Sequence, residues 1–344
     1  MSETPDRYDR QKRLWGKKQE LLRNATVLIA GVGATGSFAA VDLALAGVGN
    51  LILIDFDTVE VSNLNRQLLF LEKDIGRPKV YAAAEKLKKL NPDISIETFF
   101  GRIEDAPLEY YEKSNVILSG LDNYEGRIWL NNIAVNYRKV LVDGGMDGLF
   151  GYIQVIIPGK TACLLCYPLI PVNIPIPKPC SPAGRERMSY FQLKAKDIFG
   201  KLTPPQPQEP SPAVSTMATI IGGLMANETL RVLLNIGNIK SGILFIYAHS
   251  LDFVWIDLNR RPDCPVCGII DKIQEFELPI EPEITIKELK KILCEKFSTR
   301  DIEIIYGTHI LDDSKKLDDL INKEIGVISK DLRFPIYIKL IKKG

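Results

Sequence analysis

Two Cys-x-x-Cys pairs, Cys163/Cys166 in "CLLC" and Cys264/Cys267 in "CPVC", supply four thiols at the spacing of a structural zinc site. A redox dithiol is the rival reading of either pair alone, but two pairs in one chain favour a metal. The pairs stand far apart in sequence, so Zn²⁺ would staple distant parts of a domain. A further cysteine, Cys180, follows the proline-rich "YPLIPVNIPIPKP". Lys178, Arg185 and Arg187 give it an electropositive setting, which favours the thiolate and hence a nucleophile. The plainer reading is an exposed thiol with no function. Cys294, among Leu289, Ile292 and Leu293, reads as a core thiol.

Gly31, Gly33 and Gly36 form a G-x-G-x-x-G, the pattern that lets backbone approach a phosphate at a helix N-terminus. Asp55 follows at the end of the next apolar run, where a carboxylate can hold ribose hydroxyls. This much indicates a nucleotide and fits a dehydrogenase equally well. The segment "DFDTVEVSNLNRQ" then places Asp57, Asn63, Asn65, Arg66 and Gln67 just beyond, with Lys79 next. Arg66 and Lys79 could neutralise a triphosphate, a need of phosphate chemistry rather than of hydride transfer. Asp122, at the end of "NVILSGLD", is placed to hold Mg²⁺ together with substrate phosphates. Taken together these residues favour an ATP–Mg²⁺ site.

The elements that must position them follow from the apolar pattern. Val27–Ala30 reads as a buried strand, Ser37–Ala46 as a helix ended by Gly47 and Gly49, and "LILIDFD" as the next strand. "YAAAEKLKKLN" reads as a helix, "SIETFF" and "NVILSGLD" as strands. This alternation predicts an α/β fold, a Rossmann-like and mostly parallel sheet covered by helices on both faces. Residues 203–212, with five prolines, must be extended. A long apolar helix follows from Ala213, too short in its uninterrupted apolar part to span a bilayer. "GILFIYAHS" and "FVWIDL" read as further strands. After Cys267 the pattern becomes strand, helix, strand, turn and closing strand, enough for a small β-grasp domain.

Composition narrows the function. The chain has 344 residues, suggesting two or three domains, and 44 basic against 43 acidic residues, which gives no field toward nucleic acid or membrane. The N-terminus lacks the apolar core of a signal peptide, so a soluble cytoplasmic protein is expected. Only two histidines occur, His249 and His309, which disfavours mechanisms that need a catalytic histidine.

In order, "YDRQKRLWG" (8–16), "GVGATG", "AGVGNLILIDFDTVEVSNLNRQLLF", "IGRPK" (75–79) and "LDN" (121–123) resemble the signature blocks of the adenylating enzymes that activate ubiquitin-like proteins and sulfur carriers. The resemblance covers residues 8–268. It implies that the C-terminal carboxylate of a small ubiquitin-like modifier attacks the α-phosphate of ATP. By the same resemblance Asp55 holds ribose, Asn63, Arg66 and Lys79 hold phosphates, Asp122 holds Mg²⁺, and Asp57 supports that region. Arg10 would reach the nucleotide of the opposite protomer, which makes the protein a homodimer. The resemblance also carries zinc at the four paired cysteines. Ubiquitin-activating members place a thioester-forming cysteine after the first zinc pair in a Pro-x-Cys-Thr context; "KPCS" at Cys180 departs from it in spacing. The expected organisation is an adenylation domain over 1–178 and 212–268, a short catalytic-cysteine insertion over 179–211 and a linker over 269–275. A ubiquitin-fold domain over 276–344 would recruit a conjugating enzyme. The alternative is a sulfur-carrier adenylyltransferase, whose members typically lack such a C-terminal domain.

Overall fold

The computed structural model describes residues 7–167, 212–264, 266–268, 276–281, 283–297, 302–306, 309–328 and 336–342. The expected cysteine insertion and linker lie outside them. Two compact units form, one on an eight-stranded sheet and one on a five-stranded sheet.

In the larger unit the strands are β1 (Thr26–Ala30), β2 (Asn50–Asp55), β3 (Ser95–Phe100), β4 (Val116–Ser119), β5 (Val140–Asp147), β6 (Phe150–Ile156), β7 (Gly242–Tyr247) and β8 (Asp252–Asp257). Their order is β3-β2-β1-β4-β5-β6-β7-β8. The first five in that order pair parallel and the last three add on antiparallel. The expected α/β sheet, mostly parallel, is therefore present. Its order reverses between β1 and β4, so the carboxyl ends of these two strands open the crevice in which ligands of such sheets bind.

The helices are α1 (Asp9–Trp15), α2 (Gln19–Arg23), α3 (Ala34–Ala46), α4 (Lys79–Leu90), α5 (Leu108–Lys113), α6 (Tyr124–Asn136) and α7 (Ser215–Leu234). Helix α3 begins at Ala34 rather than Ser37, which puts Gly36 inside its first turn. Helix α7 continues past Asn227, Glu228 and Arg231 to Leu234, so its 20 residues exceed the apolar run that announced it. By length and composition it could cross a membrane. Met217, Ile221, Met225 and Ala226 instead join Ala39, Ala40 and Leu43 of α3 in one buried core. A Cβ on Gly222 would lie 2.6 Å from the Phe38 Cβ, so the two helices meet almost backbone to backbone. Strand β8 is an edge strand whose Phe253, Val254, Trp255 and Ile256 are all exposed.

The smaller unit contains β9 (Phe276–Ile280), α8 (Ile286–Phe297), β10 (Glu303–Tyr306), β11 (His309–Ile310), β12 (Glu324–Ile328) and β13 (Ile336–Lys342). The sheet order is β11-β10-β12-β13-β9, with only β13 and β9 parallel. Ile286, Leu289 and Leu293, three and four positions apart on one face of α8, bury against Ile304, Ile325, Val327, Ile338 and Leu340. Cys294 packs at the margin of this core.

Candidate functional site

The glycine turn joins β1 to α3 at the reversal of strand order. Gly31 has φ +83°, and a Cβ there would sit 2.8 Å from the Gly120 carbonyl oxygen and 3.1 Å from the Leu121 nitrogen. A Cβ on Gly36 would overlap the Gly31 carbonyl oxygen. Glycine is thus required at both positions, one for its left-handed backbone and one for close packing. Gly33 stands differently, facing open space with the Gln67 side chain 3.9 Å from its Cβ position. Helix α3 has no side-chain cap at Gly33, which leaves its first amides directed at that space.

Asp55 ends β2 and fixes the turn. Its Oδ2 accepts the Val32 N–H at 2.8 Å and its Oδ1 accepts the Asp57 N–H at 2.9 Å. Burial pushes its carboxyl above the ordinary value, opposed by the Lys79 charge and these two amides. Asp57 in turn accepts a hydrogen bond from Lys79 Nζ at 2.8 Å, and the Lys79 N–H donates to the Asp57 carbonyl at 3.0 Å. The ammonium that opens α4 is 6% exposed, so the carboxylate compensates a nearly buried charge. Asp55, Asp57 and Lys79 are therefore one connected chain.

The intervening loop is held by its own bonds. Asn63 Oδ1 accepts the Glu60 N–H at 3.0 Å, and the half-buried Arg66 donates to the Ser62 carbonyl at 2.6 Å and to Asn65 Oδ1 at 2.9 Å. Below it, fully buried Asp74 accepts from the Leu71 N–H, Arg77 and Lys86. Burial alone would raise the Asp74 carboxyl, but Lys86 and these other donors hold it below its ordinary value. Lys86 also donates to the Leu69 carbonyl, tying the loop to α4.

Strand β4 stops at Ser119, three residues before the expected acid, because Gly120 turns under Gly31. Asp122 consequently stands exposed between β4 and α6. Asn123 caps α6, its Oδ1 accepting the Gly126 N–H at 2.7 Å. Two buried atoms beside this crevice, Ser119 Oγ and Gln67 Oε1, have no hydrogen-bond partner among the described residues. Glycines that admit no side chain, an uncapped helix start, Asp55, Lys79 and unpaired polar atoms fit a nucleoside polyphosphate, with Asp122 able to take a divalent cation.

Arg10 is not brought into this group. Helix α1 docks at the other end of α3, where Gln11 donates to the Ala46 carbonyl at 2.6 Å and a Cβ on Gly47 would meet the Tyr8 ring. Thirteen residues of helix put the glycine turn about 20 Å away.

The Sγ atoms of Cys163, Cys166, Cys264 and Cys267 all lie within 4.8 Å of one another, and all four residues are buried. The Cys163–Cys166 separation is 4.0 Å. Tetrahedral zinc with bonds of about 2.3 Å places its sulfurs roughly 3.8 Å apart, so the cluster fits Zn²⁺. Cys180 lies outside the described residues.

One group escaped the sequence reading. Arg127, on α6, donates to Asp143 Oδ1 at 2.7 Å, to the Gly144 carbonyl at 2.9 Å and to the Leu121 carbonyl. Tyr152 donates to Asp143 Oδ2 at 2.9 Å. The available signal was an arginine one turn into a helix that begins just past Asp122.

A model of the ThiF family matches residues 8–266. The sequence is 28% identical over 340 residues to the NEDD8-activating enzyme E1 catalytic subunit of Schizosaccharomyces pombe, spanning 79% of this chain and 76% of that protein. It is 33% identical over 274 residues to the sulfur carrier protein adenylyltransferase of Thermus thermophilus, spanning 76% and 90% respectively. The crystal structure of E. coli MccB with MccA-N7isoASN shares the fold, with TM-score 0.60, 24% identity and coverage of 77% of this chain and 76% of that one.

Proposed function

The chain belongs to the ThiF family, and from that premise we propose that it uses ATP to adenylate the C-terminal carboxylate of a small ubiquitin-like protein. The observation that carries the proposal is the connected cradle: Gly31 packed against Gly120, with the Asp55–Asp57–Lys79 chain beside it. Amides at the start of α3 take phosphate oxygens, Asp55 takes ribose hydroxyls, and Asn63, Arg66, Gln67 and Lys79 line the triphosphate. Mg²⁺ at Asp122 would neutralise charge on the departing pyrophosphate. A modifier carboxylate oxygen attacks the α-phosphorus, the bond to the bridging oxygen breaks, and acyl-adenylate and pyrophosphate result.

Arg10 acts on the partner's nucleotide in a homodimer, which agrees with its distance from the glycine turn of its own chain. Val61, Leu68, Leu71 and Ile75 stand exposed around the phosphate loop, an apolar surface suited to being covered. The cysteine cluster holds Zn²⁺ as a structural staple. In the second half-reaction the Cys180 thiolate attacks the acyl carbon and AMP leaves, giving a thioester. A conjugating enzyme recruited by the C-terminal β-grasp domain then accepts the modifier on its own cysteine.

Activation of a sulfur carrier is the second reading, favoured by the likeness to the Thermus enzyme over most of its length. It shares the adenylation and omits the thioester passed to a conjugating enzyme. Intact-mass spectrometry of the protein with ATP, Mg²⁺ and small β-grasp proteins ending in glycine separates the two. A thiol-sensitive adduct lost in Cys180→Ala is expected; an adduct surviving that substitution rules out Cys180, and adenylate without adduct favours the carrier reading.

A further inference from the structure

The buried network around Arg127 ends on the residue that precedes Asp122, and this juxtaposition has a consequence for the cation site. Arg127 is 8% exposed and Asp143 fully buried, so their ion pair is enclosed and needs every partner. It has them. One Asp143 oxygen takes the arginine and the other takes the Tyr152 hydroxyl, while the guanidinium also binds the Gly144 and Leu121 carbonyls. The guanidinium further lies 5.8 Å from the Tyr152 ring centroid. A Cβ on Gly145 would come within 2.5 Å of that ring, so the strand presses the tyrosine into place.

Asp122 itself is exposed, and Asn123 Nδ2 approaches its Oδ1 at 3.3 Å. Its backbone, by contrast, is clamped on both sides. Leu121 is held by Arg127, and Asn123 is held by its cap on Gly126. An exposed carboxylate that must meet a cation at one point benefits from such a clamp, because ordering it on binding would weaken affinity.

Resting on the adenylation reading, we propose that Arg127, backed by Asp143 and Tyr152, is a positioning residue that presets the Asp122 carboxylate for the divalent cation accompanying ATP. The planar guanidinium is essential because it reaches three acceptors at once. Lysine would keep the charge opposite Asp143 but could not span to Leu121 as well.

The test measures Mn²⁺ binding by electron paramagnetic resonance in the presence of α,β-methylene ATP, alongside binding of that analogue without metal. In Arg127→Lys, Mn²⁺ affinity is expected to fall by about tenfold or more, with metal-free analogue affinity unchanged. Tyr152→Phe, a milder change that spares the fold if Arg127→Lys does not, is expected to lose about threefold in the same direction. Asp122→Asn sets the scale of full loss. Unchanged Mn²⁺ affinity in a folded variant, or equal loss with and without metal, overturns the inference alone. A wild-type protein that binds no Mn²⁺ with the analogue overturns the adenylation reading as well.

Discussion

Lys79 and Asp57 divide two tasks that a single mutation cannot test. The lysine is nearly buried while the side chain of its partner is 42% exposed. Lys79→Ala leaves a carboxylate that water can solvate, so thermal stability should barely move while ATP affinity falls roughly thirtyfold, about 2 kcal/mol. Asp57→Ala strands an enclosed ammonium and is expected to destabilise the protein by about 2 kcal/mol. Thermal melts with and without ATP distinguish them, and parallel behaviour of both variants would contradict the pairing. Lys79 stood ahead of the helix read from "YAAAEKLKKLN" and opens α4 in the structure, but the glycines in a turn and the acid at the strand end were legible in the sequence because spacing places them. Arg127, Asp143 and Tyr152 were not. They sit on α6, β5 and β6, and only tertiary packing decides that a buried arginine finds that carboxylate rather than water.

At the scale of elements, the parallel half of the sheet could be read from continuous apolar runs alternating with helices. The β5–β6 hairpin could not, since "VDGGMDGLFG" carries glycines that break the periodicity while Gly144 and Gly145 make room for Met225 and Tyr152. The strand end was met at Asp55 and overread at Asp122. Asp122 seemed part of a strand by apolar continuity, yet close packing of Gly120 on Gly31 ends β4 earlier and frees the acid for the crevice. The two Cys-x-x-Cys pairs announced a metal through spacing, and folding brings their sulfurs to metal-binding separation. Metal analysis should find one zinc per chain, lost with a lowered melting temperature in Cys264→Ser. Full stability and no metal in the wild type would show that the four cysteines hold no zinc staple.

For the whole molecule, the placement of Arg10 at the far end of α3 predicts sites completed in trans. Arg10→Ala and Asp122→Ala homodimers should each be inactive. Subunits exchanged between them should recover about a quarter of wild-type activity, because half the dimers regain one of two sites. No recovery after exchange, shown by mixed dimers on native mass spectrometry, would place Arg10 outside the site. Isotope exchange between pyrophosphate and ATP reports carboxylate adenylation itself. Exchange should require a β-grasp protein with an intact C-terminal glycine carboxylate and should vanish when that carboxylate is amidated. Exchange that ignores the carboxylate, or its absence with every such protein while NADH is oxidised, would rule adenylation of a modifier out.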